Sequence, residues 1–261
     1  MPQDAPARAS VAVAHVASHA AMRRPLVLAA CLIATFMAAV ESTIVATAMP
    51  SIVADLGGFS LFSWVFASFL LFQSVTIPVY GRLADMLGRK KAFYLGASLF
   101  LVGSTLCGFA PSMGWLIFFR ALQGIGAGGV HPISMTICGD IYTPAERAKV
   151  QGLISSVFGV AAVIGPSLGA FLVEHGAWQV VFWINIPVGV AAMAMISVFL
   201  REPKAHRSRR IDYAGSVMMT LAVGALLVVL DQWQALSQGA LTALILLFAV
   251  GGAALLWHEA R

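Results

Sequence analysis

The sequence predicts an all-α integral membrane protein, and three observations carry that prediction. Of its 261 residues, 60% are hydrophobic and 10% are charged, and the mean hydropathy is +0.89. A soluble globular domain carries about 25% charged residues, so this composition excludes an ordinary watery fold. Several stretches run for roughly 20 residues with almost no charge, enough to cross a hydrocarbon core of about 30 Å as a helix. Such segments must satisfy every backbone hydrogen bond internally, which leaves helices or a closed barrel. The runs are too long and too uniformly apolar for the alternating strands of a barrel.

Taken in order, residues 1–25 read as an Ala-rich, disordered cytoplasmic tail ending in Arg23-Arg24-Pro25. Two arginines before an apolar run have the look of a secretory signal, whose apolar core spans about 7–15 residues. Here the run reaches about Met49, so it reads as a retained span. Eight spans are expected, at about 26–49, 61–80, 92–110, 114–137, 150–173, 180–200, 213–230 and 240–257. A basic cytoplasmic linker, 201–212, separates the first six from the last two. Cys31, Cys107 and Cys138 are scattered through apolar runs, form no metal spacing, and read as small buried residues.

The placement of charge tests this count. Of the 16 Lys and Arg residues, all but Arg120 fall in the tail, in alternate loops or at the C-terminus. The loop after span 2 holds Arg82, Arg89, Lys90 and Lys91, that after span 4 holds Arg147 and Lys149, and five more follow span 6. The opposite side carries Asp55, Glu174 and Asp231. By the positive-inside rule, both termini lie in the cytoplasm of a multi-pass protein of the cell inner membrane. The net charge of +5 is thus accounted for by topology, and no nucleic-acid partner is expected.

The loop after span 2 reads Gly81-Arg82-Leu83-Ala84-Asp85-Met86-Leu87-Gly88-Arg89-Lys90-Lys91. Physically this is a tight turn in which Gly81 and Gly88 permit close backbone approach and Asp85 can pair with basic neighbours. Arg120-Ala121-Leu122-Gln123-Gly124-Ile125-Gly126-Ala127-Gly128 begins with a charge inside span 4. In span 5, Gly165-Pro166-Ser167-Leu168-Gly169 bends a helix whose Ala161, Gly165 and Gly169 keep one face small. The three stretches, in this order, resemble the major facilitator superfamily. The resemblance implies that Asp85 and Arg89 form a cytoplasmic latch, that Arg120 takes part in proton coupling, and that Gly165, Pro166 and Gly169 belong to an antiporter motif.

Further stretches are similar to the fourteen-spanner drug:proton antiporters of that superfamily. They are Glu41-Ser42-Thr43-Ile44-Val45-Ala46-Thr47-Ala48-Met49-Pro50, the segment Trp178–Gly189 with Phe182, Asn185 and Pro187, and Asp212-Tyr213-Ala214-Gly215. The chain departs from the pattern at Glu41, where Asp is usual, at Ala46, where Asn is common, and at Gln179, where Arg is common. The likeness implies a six-helix N-terminal bundle over 26–200, two further transmembrane helices over 213–261, and no C-terminal half.

Glu41 and Arg120 are the two ionisable residues well inside a span, and charge in hydrocarbon is costly enough to mark a functional candidate. Glu41 lies about 15 residues, roughly 22 Å, from the cytoplasmic end of span 1, leaving about 8 Å to the outer face. Arg120 lies about six residues, roughly 9 Å, below the outer end of span 4. The two are level. Glu41 is expected to bind the proton or a cationic substrate, with Arg120 tuning its charge; a static ion pair orienting two helices is the alternative. Gln73, Gln123 and Asn185 are the other strong polar groups at mid-span, and Gln123 either lines a cavity or bonds between helices. His131, followed by Pro132, reads as a packed residue.

No nucleophile–base set, metal cluster or phosphate loop is visible, so neither enzymatic activity nor a cofactor is expected; the glycines at 124–129 follow no soluble strand. The expected function is proton-driven export of a hydrophobic or cationic drug-like compound across the inner membrane. The rival is a non-transporting remnant, or a membrane subunit needing a second chain to supply the missing half.

Overall fold

The computed structural model of the protein describes residues 23–202, 221, 225–226, 229 and 237–259. The N-terminal tail, the linker beyond Glu202, the Asp212–Gly215 segment and most of the seventh span lie outside the described residues. Helix α1 spans Arg24–Leu56. A 3-10 turn at Phe59–Leu61 leads into α2, Phe62–Leu87. Then come α3 (Arg89–Cys107), α4 (Met113–Ile141), α5 (Pro144–His175), the single turn α6 (Val180–Trp183), α7 (Asn185–Phe199) and α8 (Gln238–Glu259).

Among the described residues, four stretches are long and apolar enough to cross a membrane: Arg24–Leu56, Phe59–Leu87, Pro144–His175 and Val180–Phe199. The remaining two helices of the predicted bundle are diluted for visible reasons. Helix α3 opens on Arg89, Lys90 and Lys91, whereas α4 carries Arg120, Gln123 and a glycine-rich centre.

The turn expected over 81–91 is shorter than its sequence suggests. Helix α2 runs on through Gly81 and Asp85 to Leu87, and the chain reverses at Gly88 alone, whose φ of 92° favours glycine. A side chain at Gly81 would meet nothing within 4 Å, so no close approach occurs there. The segment Arg82–Leu87 contains good helix formers and merely leaves the apolar register, which is why hydropathy ended the span too early. Helix α5 starts on Pro144 behind a capping box in which the Thr143 backbone N–H donates to Glu146 Oε2 at 2.9 Å.

Two helices organise the bundle. Helix α4 packs between α2 and α3, and α1 packs on α5, α7 and α4. The α3–α4 seam is a main-chain contact: a Cβ built at Gly126 would collide with the backbone N of Phe100, and one at Gly103 would lie 2.6 Å from Gln123 Cα. Between α1 and α5, Thr43 Oγ1 donates to the Ala161 carbonyl at 3.4 Å, and a Cβ at Gly165 would overlap that hydroxyl.

The apolar interior falls into two clusters. One holds Val27–Ala38 of α1 with Phe93, Phe100, Ile133, Ile137 and Ile196. The other holds Ala39–Ile52 of α1 with Val65, Leu116, Trp178 and Phe182. The division runs through the buried polar residues Glu41 of α1, Ser104 of α3, Arg120 and Gln123 of α4 and Asn185 at the start of α7.

Candidate functional site

The polar layer is built from one residue per turn of several helices. Glu41 is 0% exposed and Arg120 is 1% exposed. Arg120 Nη1 donates to Glu41 Oε1 in a direct ion pair, and to Gln123 Oε1 at 2.8 Å one turn further along α4. Arg120 Nε donates to the Val65 carbonyl of α2 at 3.3 Å. Its guanidinium carbon lies 4.1 Å from the centre of the Phe69 ring and 5.9 Å from that of Phe182. A planar cation that stacks on a ring while its edge bonds a carboxylate is a task for Arg rather than Lys.

The second carboxylate oxygen is held from the other side. Asn185 Nδ2, at the start of α7, donates to Glu41 Oε2 at 2.5 Å and lies 3.0 Å from Ser104 Oγ. Ser104 in turn donates to the Phe182 carbonyl at 2.8 Å. That carbonyl also receives the Ile184 backbone N–H at the junction of α6 and α7, so it is shared between the main chain and Ser104. Glu41 of α1 is thus clamped by Arg120 of α4 and Asn185 of α7, while Val65 of α2 and Ser104 of α3 hold those two partners. Gln123 Nε2, also buried, has no acceptor among the described residues.

Glu41, Arg120 and Gln123 therefore meet at one point. Ser104, Phe69 and the backbone of Val65 were not singled out by sequence, and Asn185 stood only among the polar groups at mid-span. Gln73 lies elsewhere, its carbonyl beside Gly128 and Thr76. Gln179, at the turn before α6, keeps a buried Oε1 with no partner among the described residues.

At the other end of the bundle, the signature loop is tied to its own half. Arg89 pairs with Asp85 at 3.1 Å, and its Nε donates to Asp140 Oδ2 of α4 at 2.9 Å. Glu202, just beyond α7, accepts from the backbone N–H groups of Arg89 at 2.5 Å and Lys90 at 3.2 Å. Reciprocally, Lys90 Nζ donates to the Ser197 and Leu200 carbonyls at 2.7 and 3.2 Å. A carboxylate caps the N-terminus of α3 while an ammonium caps the C-terminus of α7, each favoured by the local helix dipole. Glu202→Ala is expected to cost about 1–2 kcal/mol and Lys90→Ala somewhat less. The comparison is made on unfolding midpoints in detergent, and equal midpoints for wild type and Glu202→Ala would remove the clamp from the account.

The chain belongs to the Major Facilitator Superfamily, whose sequence profile matches residues 31–258. It is 43% identical over 200 residues to Multidrug resistance protein 3 of Bacillus subtilis (strain 168), covering 77% of this chain and 39% of that protein. It is 40% identical over 228 residues to the Multidrug transporter protein MdtP of the same organism, covering 84% and 42%. The chain thus spans about two fifths of the length of these relatives. Its fold is similar to the human organic anion transporter MFSD10 (TETRAN), with a TM-score of 0.65, 17% identity, and coverage of 78% of this chain and 55% of that one. It is also similar to the POT family transporter PepTSo, with a TM-score of 0.63, 14% identity, and coverage of 88% and 52%. An all-α, multi-pass membrane fold of the transporter class follows.

Proposed function

We propose that this chain is the N-terminal bundle of a proton-coupled exporter of hydrophobic or cationic compounds, and that Glu41 is the group whose protonation drives it. The observation that carries this reading is the Glu41–Arg120 pair, buried between two apolar clusters and reached by side chains of α1, α4 and α7. Relatives whose names refer to multidrug resistance and multidrug transport support the substrate class. Protonating Glu41 would release the Arg120 cation from its partner; deprotonating it restores the pair. A carboxyl balanced between burial and a single cation is a natural two-state element for coupling a proton to a conformational change.

In this proposal residues 26–200 form the bundle, 201–212 a basic cytoplasmic linker and 213–261 two further transmembrane helices, with both termini in the cytoplasm. Transport belongs to the assembled protein, in which a second bundle faces this one, supplied by the same polypeptide or by a partner chain. Asp85 and Arg89, already engaged with each other and with Asp140, would latch the two halves through Asp85, the more exposed member.

The test is efflux of a cationic dye driven by a pH gradient, in vesicles holding the chain alone and beside Glu41→Gln. Where copies of the chain supply the second bundle for one another, the wild type is expected to export the dye and the variant to lose at least about a hundredfold in gradient-driven rate while remaining folded and inserted. Efflux that survives Glu41→Gln would end the coupling role. Well-inserted wild type without efflux would favour the reading as a subunit needing a partner.

A further inference from the structure

We infer that His131 is a second proton-carrying group of the bundle, placed on the cytoplasmic side of the Glu41–Arg120 pair. The inference rests on the proton-coupled reading above and names a residue for the next step of the proton's path. It also reverses the sequence reading of His131 as a packed residue.

The placement comes first. His131 follows Arg120 by eleven residues on α4, which puts it about 20° away around the helix and about 16 Å along it. Arg120, Gln123, Ala127 and His131 therefore share one face, and in the proposed orientation that face descends from the ion pair towards the cytoplasm. The imidazole meets Phe158 of α5 edge-on, with centroids 5.2 Å apart and planes at 90°. Phe158 is 45% exposed, so this ring pair lies at the margin of the α4–α5 contact rather than in the closed core.

The chemistry of the spot is unlike that of a packed histidine. A buried imidazole nitrogen normally finds a protein partner that fixes its tautomer, yet Nδ1 of His131 is buried with none among the described residues. The next residue, Pro132, has no N–H to donate to the Gly128 carbonyl, so helix α4 gives up a hydrogen bond beside this ring. A titratable ring whose buried Nδ1 has no partner among the described residues thus sits one residue before a proline-interrupted turn of the helix.

The charged groups of the neighbouring helices do not neutralise it. On α1, Glu41 is occupied by Arg120 and Asn185. On α2, Tyr80 lies against Gly129. Helix α3 carries its charges at Arg89–Lys91, its first turn. On α5 the charges nearest in sequence, Glu146 to Lys149, precede Phe158 by at least nine residues, or about 13 Å. Among the described residues no ion pair to His131 occurs. The ring can therefore take up a proton at one nitrogen and release one from the other, passing a single positive charge and leaving the imidazole neutral.

The test reads protonation directly, without transport. The full chain, labelled with 15N-histidine in lipid nanodiscs, is titrated by NMR between about pH 5 and about pH 9, the range in which imidazole changes charge. His131→Asn assigns one of the six histidine signals. The expected result is a His131 ring that titrates reversibly and whose midpoint moves in Glu41→Gln. A ring that holds one protonation state throughout, or a midpoint indifferent to Glu41, would overturn the inference. Dye efflux is read separately, with the same purified protein in sealed vesicles, and its absence there bears on the transport reading and not on the titration of His131, so the two failures are distinguishable.

Discussion

Arg120→Ala is expected to be the most damaging single substitution at the polar layer, lowering stability by about 3–5 kcal/mol. The physical reason is asymmetry. The ion pair itself, set against an apolar replacement of equal volume, has little net worth; removing one member strands the other in a medium that cannot solvate it. Glu41 would keep Asn185 as a donor but lose its only cationic partner. Gln123 Oε1 and the Val65 carbonyl would lose their donor at the same time, and Phe69 its stacked guanidinium. Arg120→Lys is expected to recover only part of the loss, because a compact ammonium lacks the planar face that stacks on Phe69 and the spread of donors that reaches Glu41, Gln123 and the Val65 carbonyl together. The double variant Glu41→Gln with Arg120→Ala should be more stable than Arg120→Ala alone, since no charge is then left unpaired. The measurement is thermal unfolding in detergent. A double variant that is no better than the single one would show that packing, not charge, dominates this layer.

Much of this layer was legible in the sequence, and the reason is specific. An ionisable residue in a long apolar run is so costly that Glu41 and Arg120 announced themselves, and helix rise alone placed them level. Asn185 and Ser104 did not, because uncharged polar residues are tolerated in spans, and their value depends on which helix lies opposite. The Ser104 bond to the Phe182 carbonyl likewise has no composition signal, since it depends on α3 lying beside the junction of α6 and α7. At the Gly88 end of the bundle the sequence misjudged Gly81. Charges such as Arg82 and Asp85 interrupt hydropathy without interrupting the helix, so span ends and helix ends part company there. The reciprocal caps of Glu202 and Lys90 join residues 112 apart, and only the packing of α3 beside α7 brings them together. His131 was passed over because a single histidine carries little information until its neighbours and its unpaired nitrogen are known.

Gly126→Ala is expected to lower stability by about 2–3 kcal/mol, at the upper end of overpacking costs, although it adds a single methyl group. In the interior of a helix, exchanging Gly for Ala would ordinarily gain about 1 kcal/mol through propensity, so the packing penalty must exceed that gain. It does so because the obstacle is main chain. The added Cβ would fall on the Phe100 backbone N and come within 2.7 Å of the Gly96 carbonyl, neither of which can rotate away. Helices α3 and α4 would have to separate along a seam that Gly96 and Gly103 also keep narrow. Gly81→Ala is the control, since nothing lies within 4 Å of its Cβ and the same propensity gain should appear undiminished. Unfolding midpoints of the two variants are therefore expected to move in opposite directions. Should both rise together, propensity would govern at both sites. Helices α3 and α4 would then stand further apart than main-chain contact requires, and the position of Ser104 opposite Asn185 would need another explanation.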